Sequence, residues 1–191
     1  MRIGVLGGSF DPPHVGHLLA ASDAFEALAL DCLLFVPAAA QPLKVGLVEA
    51  TAQDRLAMTR LLVGGDPRFA VDAIEVERGG LSFTVDTLRA LRERWREQKP
   101  LALFLLIGAD VGGSLPKWRE PGAVAALADI VVLTREGGSD VLPSGAARRI
   151  RTRRVDVSST EVRARARAGQ SIRGFVPDAV AEYIATAGLY R

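Results

Sequence analysis

"RIGVLGGSFDPPHVGHLLAASDAF", residues 2–25, decides how this chain folds. It opens as a short apolar run that stops at Gly7 and Gly8, and beyond the following loop Val15, Leu18, Phe25 and Leu28 recur at helical spacing. The reading is strand, glycine loop, helix. A glycine pair after a strand lets the backbone approach a ligand closely, and the helix that follows offers unpaired N–H groups and a partial positive charge, so phosphate is the natural guest. The commoner phosphate loops do not fit. No Gly-Lys-Ser/Thr follows, and Gly7, Gly8 and Gly16 lack the intervals of the dinucleotide fingerprint. The same stretch contains both histidines of the chain, His14 and His17. Near the first helical turn, side chains three apart share a face and can meet one ligand. As metal ligands they would need a third partner, and none lies nearby in sequence.

The alternation continues outward. "CLLFVP" is a second apolar strand, and "TAQDRLAMTRLLVGG" a helix with Thr51 as N-cap and a glycine stop. Short extended pieces are expected from Phe69 to Val76. "LSFTVDTLRALRERWREQ" reads as a helix capped by Ser82, with Val85, Leu88, Leu91 and Trp95 on one face as core packing. "LALFLLIG" and "DIVVLT" are continuous enough to be strands covered on both faces. "REGGSDVLPSG" is an exposed loop, "RIRTRRVDV" an edge or late strand, and "SSTEVRARARAG" and "VPDAVAEYIATAGLY" two closing helices. The expected fold is α/β: a Rossmann-like, doubly wound, mostly parallel sheet with helices on both faces and a C-terminal helical segment. Ligands should gather at the carboxyl ends of the strands. With 191 residues, 49% of them hydrophobic, and neither repeat nor linker, residues 1–191 are expected to be one domain.

Lys and Arg number 24 against 22 Asp and Glu, so the overall charge gives no general argument for a nucleic-acid partner. From Arg148 to Arg173, however, nine arginines face only Asp156 and Glu161, a local balance that calls for an anion. Cys32, the single cysteine, cannot form an internal disulfide and is expected to be a small core residue. Neither a charged leader before an apolar run nor a membrane-spanning stretch is evident, which points to the cytoplasm and to no membrane partner.

Gly8, Ser9, Phe10, Asp11, Pro12, His14, Gly16 and His17 fill every fixed position of the pattern G-[ST]-F-D-P-x-H-x-G-H, and the stretch resembles the HxGH nucleotidylyltransferases. "VSSTEVR", Val157–Arg163, is similar to that superfamily's I-S-S-T-x-x-R element. "LSFTVDTL", "LLIGADVGGSLPKW" and "VPDAVAEYIATAGLY" resemble bacterial nicotinate-nucleotide adenylyltransferases, and the likeness runs from the first strand to the last residue.

The resemblance implies transfer of AMP from ATP to nicotinate mononucleotide, with magnesium arriving on the triphosphate rather than on protein side chains. His14, His17, Lys44 and Arg163 are then the catalytic phosphate partners. Gly8, Ser9, Phe10, both histidines, Gly108, Asp110, Ser159, Thr160 and Arg163 are expected to bind ATP, residues 158–191 completing that site. Gly7, Gly8, Ser9, Lys44, Thr84, Thr87, Trp118 and Arg119 are expected to bind the nicotinate nucleotide, Trp118 by stacking on its flat ring. Two departures stand out. Leu43 replaces a histidine in the P-P-H-K loop, and only Arg55 of an E-H-R element survives. Sister activities on nicotinamide mononucleotide or phosphopantetheine, a non-catalytic nucleotide- or RNA-binding module, and a homo-oligomer remain open. If either histidine acts as a cation, the rate should fall as pH rises through the imidazole range, near a pKa of about 6.5.

Overall fold

The computed structural model describes residues 1–42, 46, 48–135, 145–146 and 148–191. Along the chain run β1 (Arg2–Gly8), α1 (Val15–Ala27), β2 (Cys32–Pro37), α2 (Ala52–Val63), β3 (Phe69–Val71), α3 (Ile74–Arg78) and α4 (Thr84–Arg94). They are followed by β4 (Ala102–Gly108), α5 (Ala109–Gly112), a 3-10 turn (Leu115–Lys117), α6 (Pro121–Leu127), β5 (Asp129–Arg135), β6 (Arg148–Thr152), α7 (Ser159–Arg167) and α8 (Asp178–Ala187). The strands pair in parallel in the order β3-β2-β1-β4-β5-β6. The first three strands wind one way and the last three the other, so β1 and β4 flank the topological switch point, where such sheets bind ligands.

Strand alternation resolves the continuous apolar runs into two cores. Leu6, Phe35, Phe104 and Leu106 face Ala21, Met58, Leu62, Val162, Val180 and Ile184 on one side. Ile3, Val5, Leu34, Leu103 and Leu105 face Val85, Leu88, Leu91 and Val124 on the other, with Trp95 packed at the margin as expected. Neither face is left for water, which is why β4 carries no polar alternation. Cys32 is half-buried at the start of β2, and burial pushes its thiol pKa up. No helix among the described residues is long and apolar enough to cross a membrane.

Thr51 caps α2 by accepting the Asp54 N–H at 3.1 Å, and Gly64 ends that helix in the left-handed region. Three local expectations change. Extended structure stops at Val71, because the Asp72 carboxylate accepts the Ile74 N–H at 3.0 Å, a turn that launches α3 through Val76. Ser82 does not cap α4; Phe83 occupies the cap position, and the Ser82 hydroxyl accepts the Ala39 N–H at 2.9 Å instead. The alternating "RIRTRRVDV" stretch forms an edge strand only to Thr152, after which the Arg153 N–H turns to the Asp23 carboxylate at 2.8 Å. Most of the predicted loop "REGGSDVLPSG", residues 136–144, lies outside the described residues.

Candidate active site

The loop between β1 and α1 is built around two stacked imidazoles. His14 is the N-cap of α1 and His17 lies one turn in, with ring centroids 3.8 Å apart and planes inclined by 35°. The His14 N–H donates to His17 Nδ1 at 3.2 Å. A nitrogen that accepts carries no proton, so neutral His17 bears its hydrogen on Nε2, where it can donate to a ligand oxygen. Gly16 between them is a steric requirement: a Cβ there would lie 2.9 Å from His14 Nδ1. Phe10 holds φ at 50°, a left-handed conformation that costs a non-glycine residue about 1–2 kcal/mol. Its ring, 2% exposed, is anchored edge-on to His17 and against Phe35, and stabilises the bend. A Cβ on Gly8 would come within 3.0 Å of that ring. Phe10 therefore supports the loop from below, leaving only its backbone for a nucleotide.

The carboxyl-terminal part closes over this loop. At the start of α7 the Ser159 hydroxyl donates to the Pro12 carbonyl at 2.8 Å, while Thr160 is exposed. Arg163 donates to the Asp11 carbonyl at 2.7 Å and to Glu49 at 2.8 Å, so it is already seated beside the loop rather than extended toward solvent. Arg167 reaches the other oxygen of Glu49, and the two arginines hold the Glu49 carboxyl below the usual carboxylate range. Asp11 is the buried hub, accepting from the Glu49 and Ala50 N–H groups at 2.8 and 3.1 Å and from the Tyr190 hydroxyl at 2.7 Å.

A cavity of about 190 Å³ opens beside the glycine pair, at the carboxyl ends of β1 and β4. It brings together Gly7, Gly8, Thr84, Thr87, Gly108, Trp118 and Arg119, residues that are far apart in sequence. The Trp118 indole is oriented by its N–H bond to Ser114 Oγ at 3.0 Å, and the Arg119 guanidinium lies 4.8 Å over the Phe83 ring. Thr87, 2% exposed, donates to Glu75 at 2.6 Å. Ser9 reaches the cavity indirectly, donating to Gln41 of its lining at 2.8 Å. Asp110 does not line it; exposed on α5, its carboxylate folds back over Gly108, where a Cβ would meet it at 2.4 Å. The N-cap of α5 is Gly108, so Asp110 does not serve as that cap. Lys44 lies outside the described residues, as does Leu43.

The family model described as cytidylyltransferase-like matches residues 5–165, from the middle of β1 into α7. This chain belongs to that family. It is 53% identical to a protein of Gemmatimonas aurantiaca named "Probable nicotinate-nucleotide adenylyltransferase", over its whole length and 93% of the relative. A Thermus thermophilus protein of the same name is 44% identical, with both chains covered completely. Within the cytidylyltransferase-like family the chain is thus a member of the nicotinate-nucleotide adenylyltransferase group. The fold matches that of the Plasmodium falciparum nicotinic acid mononucleotide adenylyltransferase complexed with NaAD. That match has a TM-score of 0.80 at 15% identity, with 99% of this chain and 97% of the other covered.

The contacts put two features in a different light from their sequence reading. Arg55, the survivor of the E-H-R element, is buried, and it donates to the carbonyls of Ala50, Ser9 and Ala39 at 3.2, 2.7 and 2.9 Å. It is a brace for the β1–α1 loop. The arginine-rich stretch is also less hungry for anions than its local composition suggests. Arg148 pairs with Asp129, Arg153 with Asp23, Arg154 with Asp156, and Arg173 with Asp178 and Glu182. Most of those acids come from other segments. Sequence reasoning missed Glu75 and Lys117 in the cavity wall; the hint was their nearness to Thr84 and Trp118.

Proposed function

We propose that this chain transfers the AMP moiety of ATP to the 5′-phosphate of nicotinate mononucleotide, giving nicotinate adenine dinucleotide and pyrophosphate. The observation that carries this reading is the junction at Gly8: the Phe10 ring that lies against Gly8 meets His17 edge-on, with His14 stacked on His17, while Gly7 and Gly8 line the cavity holding Trp118. A triphosphate over the α1 N-terminus and a flat-ringed acceptor in the cavity would bring an acceptor phosphate oxygen to the α-phosphorus. That oxygen forms the new P–O bond, and the bond from the α-phosphorus to the bridging oxygen of pyrophosphate breaks.

The attacking oxygen is ionised near neutral pH, so positioning and charge neutralisation suffice without a base or a covalent intermediate. His17 Nε2–H would donate to an α-phosphate oxygen, with His14 stacked beside it. The N–H groups that open α7, together with Thr160, would meet the outer phosphates, and Arg163 would exchange Glu49 for phosphate oxygens. In this way residues 158–191 would complete the ATP site. Magnesium would be carried on the triphosphate, since the groups around the loop are mainly donors suited to phosphate oxygens, and it would supply further charge neutralisation.

Pyrophosphate release with ATP and magnesium tests the proposal, comparing nicotinate mononucleotide, nicotinamide mononucleotide and phosphopantetheine as acceptors. The expected order puts nicotinate mononucleotide first. A preference for phosphopantetheine or for the amide would reassign the acceptor, and no turnover with any of them would overturn the reaction.

A further inference from the structure

The acceptor cavity contains a charge that the reaction itself does not call for. Glu75, on α3, lines the cavity with 7% of its surface exposed and is the one acid among the described lining residues. Its Oε1 accepts the Thr87 hydroxyl at 2.6 Å, in the range of a hydrogen bond to a charged carboxylate. Ser82 hydrogen-bonds to the same carboxyl, and the Arg78 guanidinium donates to Thr87 Oγ1 at 3.2 Å. Burial, the largest effect, holds the Glu75 pKa above the ordinary carboxylate value, with the Thr87 and Ser82 hydrogen bonds and the Arg78 charge pulling against the rise and Asp72 adding a smaller push. Lys117 and Arg119, both exposed, stand at the rim of the same cavity. The cavity thus has a buried carboxyl in its wall and Lys117 and Arg119 at its rim, Arg119 also lying 3.5 Å from Asp86 and 3.8 Å from Glu120, with the Trp118 ring as a flat face.

We propose that Glu75 is a specificity-determining residue: it supplies the counter-charge for a cationic ring, so the cavity selects a zwitterionic 3-carboxypyridinium ribotide over one whose ring is neutral. This rests on the acceptor reading given above. In a nicotinate nucleotide the ring nitrogen is positive and the carboxylate negative. Glu75 matches the first, and the rim cations with the nearby backbone match the second. Toward a neutral ring an inward carboxylate would offer an acidic acceptor only repulsion; a pyridinium turns that into attraction.

The test reads binding by isothermal titration, which does not depend on turnover. The two probes are nicotinate mononucleotide and its C-riboside 5′-phosphate analogue bearing a 3-carboxyphenyl ring, of the same shape and carboxylate but without the ring charge. The native protein should bind the pyridinium form about tenfold more tightly or better. Glu75→Gln, which keeps the volume and an acceptor for Thr87, should weaken the pyridinium form alone and bring the two affinities close to equality. Glu75→Asp should retain much of the discrimination. Equal weakening of both probes in Glu75→Gln, or an unchanged ratio, would show a merely structural role and overturn the proposal. If Glu75→Gln fails to fold, equal binding of the two probes by the native protein overturns it as well. Selective binding without pyrophosphate release would condemn the proposed reaction while upholding this inference. Binding of neither probe would overturn both.

Discussion

His17 is oriented by the bond that its Nδ1 accepts from the His14 backbone, and the same bond dictates its chemistry. Protonating Nδ1 would set N–H against N–H, so the working form is the neutral ring donating from Nε2. The sequence left a charged histidine open as a phosphate partner, and the structure favours the neutral donor for His17. Above pH 7, where the acceptor phosphate is ionised, kcat should stay level to about pH 8.5 rather than fall with imidazole deprotonation near 6.5. A decline to a small fraction across that interval would restore the charged form. Replacing His17 by Ala removes a donor aimed at developing charge, and kcat should drop roughly 100- to 1000-fold, as for other preorganised donors. Stability should fall far less than activity, by about 1–2 kcal/mol for the lost hydrogen bond and ring contacts with Phe10 and His14; near-native turnover would rule out the role given to His17. The spacing of these histidines was legible from the sequence, but not the stacking that makes the glycine between them necessary.

At the scale of the element, α1 and α7 bring their first turns to the loop that follows β1. α2 adds a function that its sequence did not advertise. Its Arg55 points into the protein and satisfies three carbonyls from two loops, one of them Ser9 of the β1–α1 loop. Removing the guanidinium leaves those carbonyls without donors, and Arg55→Met should cost about 2–4 kcal/mol. For a chain of this size that corresponds to roughly 5–12 °C in Tm, with KM for ATP rising as the loop loses its brace. A variant as stable as the native protein would contradict this account. α4 teaches a complementary lesson. Its start was predicted from Ser82, a good capping residue type, yet that hydroxyl is claimed by the Ala39 N–H from the loop after β2. A local propensity yields to a tertiary partner when the partner is a backbone donor that would otherwise be buried unsatisfied.

Across the whole molecule, Asp11 and Tyr190, 179 positions apart, meet in a buried hydrogen bond of 2.7 Å that ties the segment after α8 to the β1–α1 loop. Burial first, and then the Asp11 carboxylate, push the Tyr190 hydroxyl far above its ordinary pKa, so it remains a donor throughout the working pH range. Tyr190→Phe should cost about 1.5–3 kcal/mol, a bond to a charged acceptor, and should weaken ATP binding because Asp11 also holds Glu49 and Ala50. Differential scanning calorimetry and KM for ATP check this; a Tm equal to the native value would show that the clasp contributes nothing. The sequence by itself determined the parallel α/β order, the glycine loop between β1 and α1 and the family, because strand runs, glycine spacing and a pattern of eight fixed positions are local and survive without neighbours. Thr84 and Trp118 could be named from the resemblance. Only the tertiary structure decided what Asp11, Arg55, Glu75 and Tyr190 do, since a buried polar group takes its role from the partner that satisfies it. In this fold those partners come from other elements, brought together by the reversal of strand order at the β1–β4 switch point.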